Sequence, residues 1–362
     1  MVPRCLRGRL LNSIRPNYMS AFPVTKTPTL ASYVSILRAI GAPVDAGLRR
    51  ARLPTLFEEI PDAWLPYERL RYFTVDMAER EGISALGLIP QISDTQTALI
   101  RSFRDPVLSA PTLLQALQRL PSLTSRQTTD IRSWIEPIGD LVRFCLVLPL
   151  PLDVPGYDIG ETRTLRLMEH IVGAFAGPDF VPTRVLLASR ARDLRFNLQS
   201  AYGDIPVLTD QPCGAIEFPR ALLSCTSASA DAPRAGSGAA KPDDAPPGTL
   251  SETLEACLEP YLLEGYPHVA LAAEIVGCNV RSLQRKLTAE QTTYSEVVDN
   301  VRCRAAMSRL RDSELNLNQI AQRLGYSEHS AFTRAFRRWT GTTPNEYQAR
   351  AANTPTRPNL KD

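Results

Sequence analysis

Two stretches of this chain share one amphipathic pattern at a fixed offset of 49 positions. The downstream copy, Leu317 to Pro344, reads as a short helix, a tight turn and a longer helix. Numbered from His329 at about 100° per residue, Ala331, Phe332, Ala335, Phe336 and Trp339 fall between about 200° and 340°. His329, Ser330, Thr333, Arg334 and Arg337 occupy about 0° to 140°, the opposite side. The short helix has its own apolar stripe, Leu317, Ile320, Ala321 and Leu324, which Gly325-Tyr326-Ser327 breaks. The upstream copy, Val269 to Leu287, pairs Leu271 with Ile320, Ala272 with Ala321 and Ile275 with Leu324. It also pairs Leu283 with Phe332, Arg285 with Arg334 and Leu287 with Phe336. Gly277-Cys278-Asn279 supplies its turn, and Asn279 is a good N-cap for the second helix. Arg281, Gln284 and Arg285 share that helix's outward arc, with Leu283 and Leu287 behind.

An apolar face that holds a short helix, with a basic face turned outward, is what a helix-turn-helix needs to enter a major groove. An amphipathic helical hairpin in an ordinary core has the same pattern, but core packing does not explain arginine at the same outward position twice. Between the copies, Tyr294 to Asp312 reads as one continuous helix with Val297, Val298, Val301, Ala305 and Leu310 on its buried side. Charge agrees without deciding the matter. The whole chain of 362 residues carries only +3, yet residues 277–340 hold eleven Lys and Arg against six Asp and Glu. A local excess of that kind suits phosphate contact and salt-sensitive binding; a solvated helical face would look similar.

Residues 265–347 resemble the DNA-binding domain of the AraC/XylS family of bacterial transcription regulators, most closely in LGYSEHSAFTRAFRRWTGTTPNEY, Leu324 to Tyr347. The resemblance implies two helix-turn-helix units joined by a long helix, with recognition helices in successive major grooves about one turn, ~34 Å, apart. It implies Arg281, Gln284 and Arg285 of the first unit, and His329, Ser330 and Arg334 of the second, near the bases; Thr333 shares the second arc. Arginine can present a fork to guanine O6 and N7, and glutamine can pair with adenine. Lys286, Arg337 and Arg338 are expected to hold phosphates, Lys286 and Arg338 from off the central arcs. Asn279 and Ser327 are expected to cap helix N-termini that point at phosphate. One departure stands out: where the family usually has Gly after the first recognition helix, this chain has Gln291-Thr292.

The length suits two domains, each able to bury its own core. The seven cysteines, Cys5, Cys145, Cys213, Cys225, Cys257, Cys278 and Cys303, are scattered and form no C-x-x-C, which reads as reduced thiols in a cytoplasmic protein. With only His170, His268 and His329, a histidine-based metal or triad site has little material, so no metal and no cofactor are expected. No apolar run approaches the ~20 residues of a membrane span, and no membrane partner is expected. Residues 1–28 carry four arginines without a signal-peptide core; a disordered tail, or a true start at Met19, explains them better than a targeting peptide.

Residues 29–224 form a different, α+β domain, helices ahead of a small sheet. Helical periodicity runs through 31–40, 44–51, 67–81, 93–103 and 111–120. Thr128 to Ile138 and Leu141 to Leu148 read as strands joined by a hairpin-type turn at Gly139-Asp140. A helix from about Glu161 to Ala176 follows, then strands near 182–188, 207–208 and 214–218. Phe196 to Leu223 resembles, more weakly, the arabinose-binding type of regulatory domain found in part of the same family. That implies an effector-binding domain, a dimerising one, or both, without implying arabinose. The residues show no ligand motif. Tyr157, Asp158, Glu161, Arg163 and Arg166 make a polar group whose ordinary reading is solvated surface.

Residues 225–250 are rich in small residues, Pro and Gly and read as a flexible linker; the DNA-binding domain spans 251–350 and a tail 351–362. The chain is thus expected to be a DNA-binding regulator in the cytoplasm, on the nucleoid, and not an enzyme. Its expected partners are double-stranded promoter DNA, a small-molecule effector, a second copy of itself and, by implication of the family, RNA polymerase. A constitutive DNA binder whose N-terminal domain only dimerises is the alternative. An enzyme fused to a DNA-binding domain would need an activated thiol, and Cys145 lies in what reads as a buried strand, where a thiol is inert.

Overall fold

The computed structural model describes residues 21–89, 107–190, 195–226, 246–265, 267–312 and 315–352. They fall into two compact units, Met1–Thr55 with Leu65–Pro247, and Leu56–Trp64 with Gly248–Asp362. The periodic stretch at 93–103, residues 227–245 of the expected linker and the ends 1–20 and 353–362 lie outside the described residues.

In the first unit, β1 (Val24–Lys26) pairs with β2 (Trp64–Pro66). This corrects the expectation of a tail as far as residue 28. Val24 and Thr25 are fully buried. The Val24 N–H donates to Thr129 Oγ1 at 2.9 Å and the Lys26 N–H to the Gln127 carbonyl at 2.8 Å. Threonine hydroxyls let this segment go inside with its polar atoms satisfied, a pairing across a hundred residues that no local pattern announces. Helices α1 (Thr27–Ala39), α2 (Val44–Arg50), α3 (Tyr67–Arg80) and α4 (Leu113–Ser125) follow.

The sheet has the order β3-β4-β7-β5-β6, with β3 (Arg132–Ile138), β4 (Leu141–Val147), β5 (Arg184–Leu186), β6 (Val207–Leu208) and β7 (Gly214–Pro219). Every neighbouring pair is antiparallel except β5 with β6. Ile138 faces Leu141 across the hairpin, where Gly139 takes φ +58°. On one side of β4, Val142, Phe144 and Leu146 join the core built with α4 and with α5 (Tyr157–Ala176). Leu165, Met168, Ile171, Val172 and Phe175 supply the α5 share. On the other side Glu217 is fully buried and held by Arg143 at 2.7 Å and Arg184 at 3.1 Å, one from each flanking strand.

Three of the five residues in the polar group at the start of α5 are not solvated surface. Glu161 is 0 % exposed and Arg163 8 %, and Tyr157 is buried with them. Glu161 turns inward because two backbone amides need it: Ala188 N–H and Ser189 N–H donate to its carboxylate at 2.6 and 3.1 Å. Gly214 makes room, since a Cβ there would stand 2.8 Å from Glu161 Oε1. Helix α6 (Arg195–Tyr202) packs Leu198 and Tyr202 into the same core.

The described elements of the second unit after residue 248 are helices: α7 (Leu250–Leu262), α8 (Val269–Val276), α9 (Val280–Ala289), α10 (Tyr294–Asp312), α11 (Leu317–Arg323), α12 (His329–Thr340) and α13 (Pro344–Ala352). The expected linker ends early. Thr249 is the N-cap of α7, accepting from the Glu252 N–H while the Glu252 carboxylate accepts from the Thr249 N–H, a full capping box. Val297, Val298, Val301, Ala305 and Leu310 of α10 are all buried, so that side of the connecting helix is as its periodicity implies. Arg304 and Asn300 of α10 bind Glu255 of α7 at 2.7 and 2.8 Å.

Candidate nucleic-acid interface

Helix α8 ends at Gly277, whose φ of +70° turns the chain. Asn279 then starts α9, its Oδ1 accepting from the Ser282 N–H at 2.8 Å. That satisfies one of the orphan amides of the first turn and fixes where the helix begins. Leu283 and Leu287 are fully buried, which sets the rotation of α9 about its own axis. Arg281, Gln284, Arg285 and Lys286 are left exposed, and no described residue bonds or pairs with their side chains. Arg281, Gln284 and Arg285 stand at i, i+3 and i+4, so they form one contiguous patch.

The second pair of helices reaches a similar end by other means. Asn316 and Gln319 make a capping box for α11. Gly325, φ +77°, leads into a longer connection than that of the first pair. Glu328, not Ser327, is the N-cap of α12, and no side chain caps the first turn. This corrects the expectation for Ser327, which lies one position too early: at the 49-residue offset Glu328 is the counterpart of Asn279, and α12 starts where α9 does. Phe332, Ala335 and Phe336 are buried and orient α12. Tyr326 packs against Phe332 and Trp339, and Arg302 of α10 lies 4.7 Å from the Tyr326 ring centroid.

The outward face of α12 is less open than that of α9. Ser330, Arg334, Arg337 and Arg338 are exposed, but His329 and Thr333 are half-buried. The His329 ring meets Phe332 edge-on at 6.5 Å, and Thr333 Oγ1 is buried without a hydrogen-bond partner among the described residues. Ser330 Oγ donates to Glu328 Oε2 at 3.1 Å. Arg338 is held by Asp299 of α10 at 2.6 Å, which ties α12 to the connecting helix. Asp299 is a residue that sequence reasoning did not single out. It stands 39 positions from its partner, beyond any helical spacing that could have signalled it.

Each long helix is followed by a left-handed residue and then a capped helix. After α9, Gln291 takes φ +58°; after α12, Gly341 takes +75°. The residue that departs from the family pattern therefore keeps the backbone conformation that glycine would supply. Glu296 then accepts from the Thr293 N–H at 2.7 Å, and Glu346 from the Thr343 N–H at 2.9 Å. Glu290, at the C-cap of α9, crosses to α7 and accepts from the Leu250 and Ser251 amides, both at 2.9 Å. Burial works against its charge, yet the Ser251 and Leu250 amides keep its pKa below the usual carboxylate range.

A helix-turn-helix domain family matches residues 272–350. The ornithine utilization regulator of Pseudomonas aeruginosa is 42% identical over 83 residues, 23% of this chain and 24% of that protein. The regulator VqsM of the same organism is 35% identical over 101 residues, 28% of this chain and 31% of the relative. The regulator VirS of Mycobacterium tuberculosis is 38% identical over 108 residues, 30% of this chain and 31% of the relative. The chain thus spans about a quarter to a third of the length of these relatives. Among solved structures, the transcriptional regulator CdpR of P. aeruginosa aligns over 85% of this chain and 96% of its own, with 24% identity and a TM-score of 0.36. Among the described residues no group of three metal-ligating side chains occurs, and no helix is long and apolar enough to cross a membrane.

Proposed function

We infer that the chain, whose residues 272–350 match a helix-turn-helix domain family, is a sequence-specific DNA-binding transcription regulator of the AraC type. The observation that carries this reading is the matched pair of exposed basic faces. Arg285 on α9 and Arg334 on α12 stand at the same position of a 49-residue repeat, each over a buried apolar anchor. The two helices serve as recognition helices for successive major grooves, joined by α10. Arg281, Gln284, Arg285, Ser330 and Arg334 read base edges, with His329 and Thr333 beside them; Lys286, Arg337 and Arg338 hold phosphates. The N-cap at Asn279 turns the amides of the α9 first turn toward phosphate, with Ser327 near the start of α12.

The N-terminal unit receives a small effector and pairs with a second copy, and the tether lets each DNA-binding half find its own half-site at high effective concentration. Regulation is exerted in the cytoplasm through promoter occupancy or contact with RNA polymerase. A constitutive binder whose N-terminal unit only dimerises is the second reading; the large cavity described below favours the first.

Fluorescence anisotropy on a site selected from random-sequence DNA tests the assignment. Arg285→Ala and Arg334→Ala are each expected to lose about 1–3 kcal/mol on the cognate site and to relax one base position. Arg338→Ala is expected to weaken all sequences about equally. An equal, sequence-blind loss for Arg285→Ala and Arg338→Ala would show the sorting of contacts to be wrong.

A further inference from the structure

The first unit contains a cavity of about 860 Å³, within the size range of small-molecule sites. One of its walls is a single face of α5: Gly160, Arg163, Thr164, Leu167, His170 and Gly173 line it. Those positions follow the helical repeat and span about 20 Å of axis, so this wall is long. Near one end stands Arg163, 8 % exposed. Its Nη1 donates to the Ile89 carbonyl at 3.3 Å and its guanidinium lies 5.5 Å from the Tyr33 ring centroid. Its Nη2 is buried with no hydrogen-bond partner among the described residues. No carboxylate among the described residues pairs with it: Glu161 serves the Ala188 and Ser189 amides, and Glu169 takes Arg166 at 2.6 Å. Gln127, also 8 % exposed, lines the same cavity with a buried Oε1 that no donor among the described residues meets.

A guanidinium does not shed its proton in a protein, so Arg163 cannot relieve its burial by becoming neutral. A buried cation without a counter-charge is strongly unfavourable unless an anion arrives. Burial pushes the neighbouring Tyr33 phenol up to about 12, so it stays an O–H donor and not a counter-ion. Further along, Leu167, Ala174 and Phe180 give an apolar strip of lining beside the Arg166–Glu169 pair. We propose that this cavity binds a small organic carboxylate, its anionic head on Arg163 and its apolar body along the α5 face toward Phe180. The inference rests on the reading of the N-terminal unit as an effector domain and names the chemical class of that effector. Arg163 is a binding residue that sequence reading assigned to the surface.

The test uses the full chain and four probes: octanoate, benzoate, octanamide and inorganic phosphate. Octanoate or benzoate is expected to raise the melting temperature and to give saturable binding by calorimetry, while octanamide and phosphate do not. Arg163→Met is expected to weaken the carboxylate about 10- to 100-fold, the loss of a charge-assisted pair. The same variant, without ligand, is expected to melt at or above the parent temperature, because the unpaired cation is gone. If Arg163→Met does not fold, Arg163→Gln supplies the affinity measurement, with the same loss expected. Equal binding of octanamide and octanoate, equal binding of phosphate, unchanged affinity in the variant, or no binding of either carboxylate at millimolar concentration overturns the proposal. Anisotropy with promoter DNA separates the two claims. A bound carboxylate that leaves DNA affinity unchanged rejects effector control and leaves the carboxylate site standing.

Discussion

Gln291 shows how one residue departs from a family pattern without changing the backbone. It sits at φ +58° after α9, where Gly341 holds the matching place after α12. A side chain in the left-handed region costs roughly 1–2 kcal/mol that glycine avoids, partly offset by the entropy glycine loses on folding. Gln291→Gly is therefore expected to stabilise the second unit by about 1 kcal/mol in urea unfolding, with DNA affinity unchanged. A loss of stability would mean that the side chain makes contacts worth more than the strain. Glu161 presents the opposite case, a polar residue whose removal should be severe. Glu161→Ala leaves the buried Ala188 and Ser189 amides unpaired and is expected to cost about 2–4 kcal/mol, read from the urea midpoint. Neither effect could be weighed from composition, since both depend on what the fold brings to the residue.

At the scale of elements, the second unit is held at its helix starts by carboxylates. Glu252, Glu296 and Glu346 each accept from the amide three residues before them, and Glu290 accepts from two amides of α7. The Thr249 amide holds Glu252 below its ordinary pKa, the Thr293 amide holds Glu296, and the Thr343 amide holds Glu346. The sign follows from the lowered folded-state values. The stabilisation is complete above the unfolded carboxylate pKa of about 4.3 and is lost as pH falls through the folded values below it. Helical signal in the far ultraviolet is thus expected to hold from neutral pH to about pH 5 and to weaken below about pH 4. In Glu290→Gln overall stability is expected to drop at pH 7 and the acid midpoint to move toward neutral pH. A midpoint that stayed put with stability intact would sink the role of Glu290. The three capping boxes of Thr-x-x-Glu form are local spacings that the sequence reading did not single out. The reach of Glu290 to α7, 40 residues away, has no local signal at all.

At the scale of the molecule, DNA affinity is expected to depend steeply on salt. Each phosphate neutralised contributes a slope of about −0.9 in a plot of log affinity against log salt. Removing Lys286 and Arg337 together is expected to make the slope shallower by about 2, measured by anisotropy between low and physiological salt. An unchanged slope would take both residues out of phosphate contact. Arg338 is expected to contribute less than they do, since Asp299 already neutralises it; Asp299→Asn would then steepen the slope. The repeat, the turn residues, the buried side of α10 and the outward set Arg281, Gln284 and Arg285 could all be read from the chain, because helical period and capping are local properties that a few neighbouring residues specify. Tertiary structure alone decided the rest. It buried Val24 and Thr25 against a segment a hundred residues away, half-covered His329 and Thr333, and paired Arg338 with Asp299. It also turned Arg163 from an expected surface charge into a buried one beside a cavity. Whether a polar side chain meets water or a distant partner depends on packing between elements, and no spacing along one element encodes that.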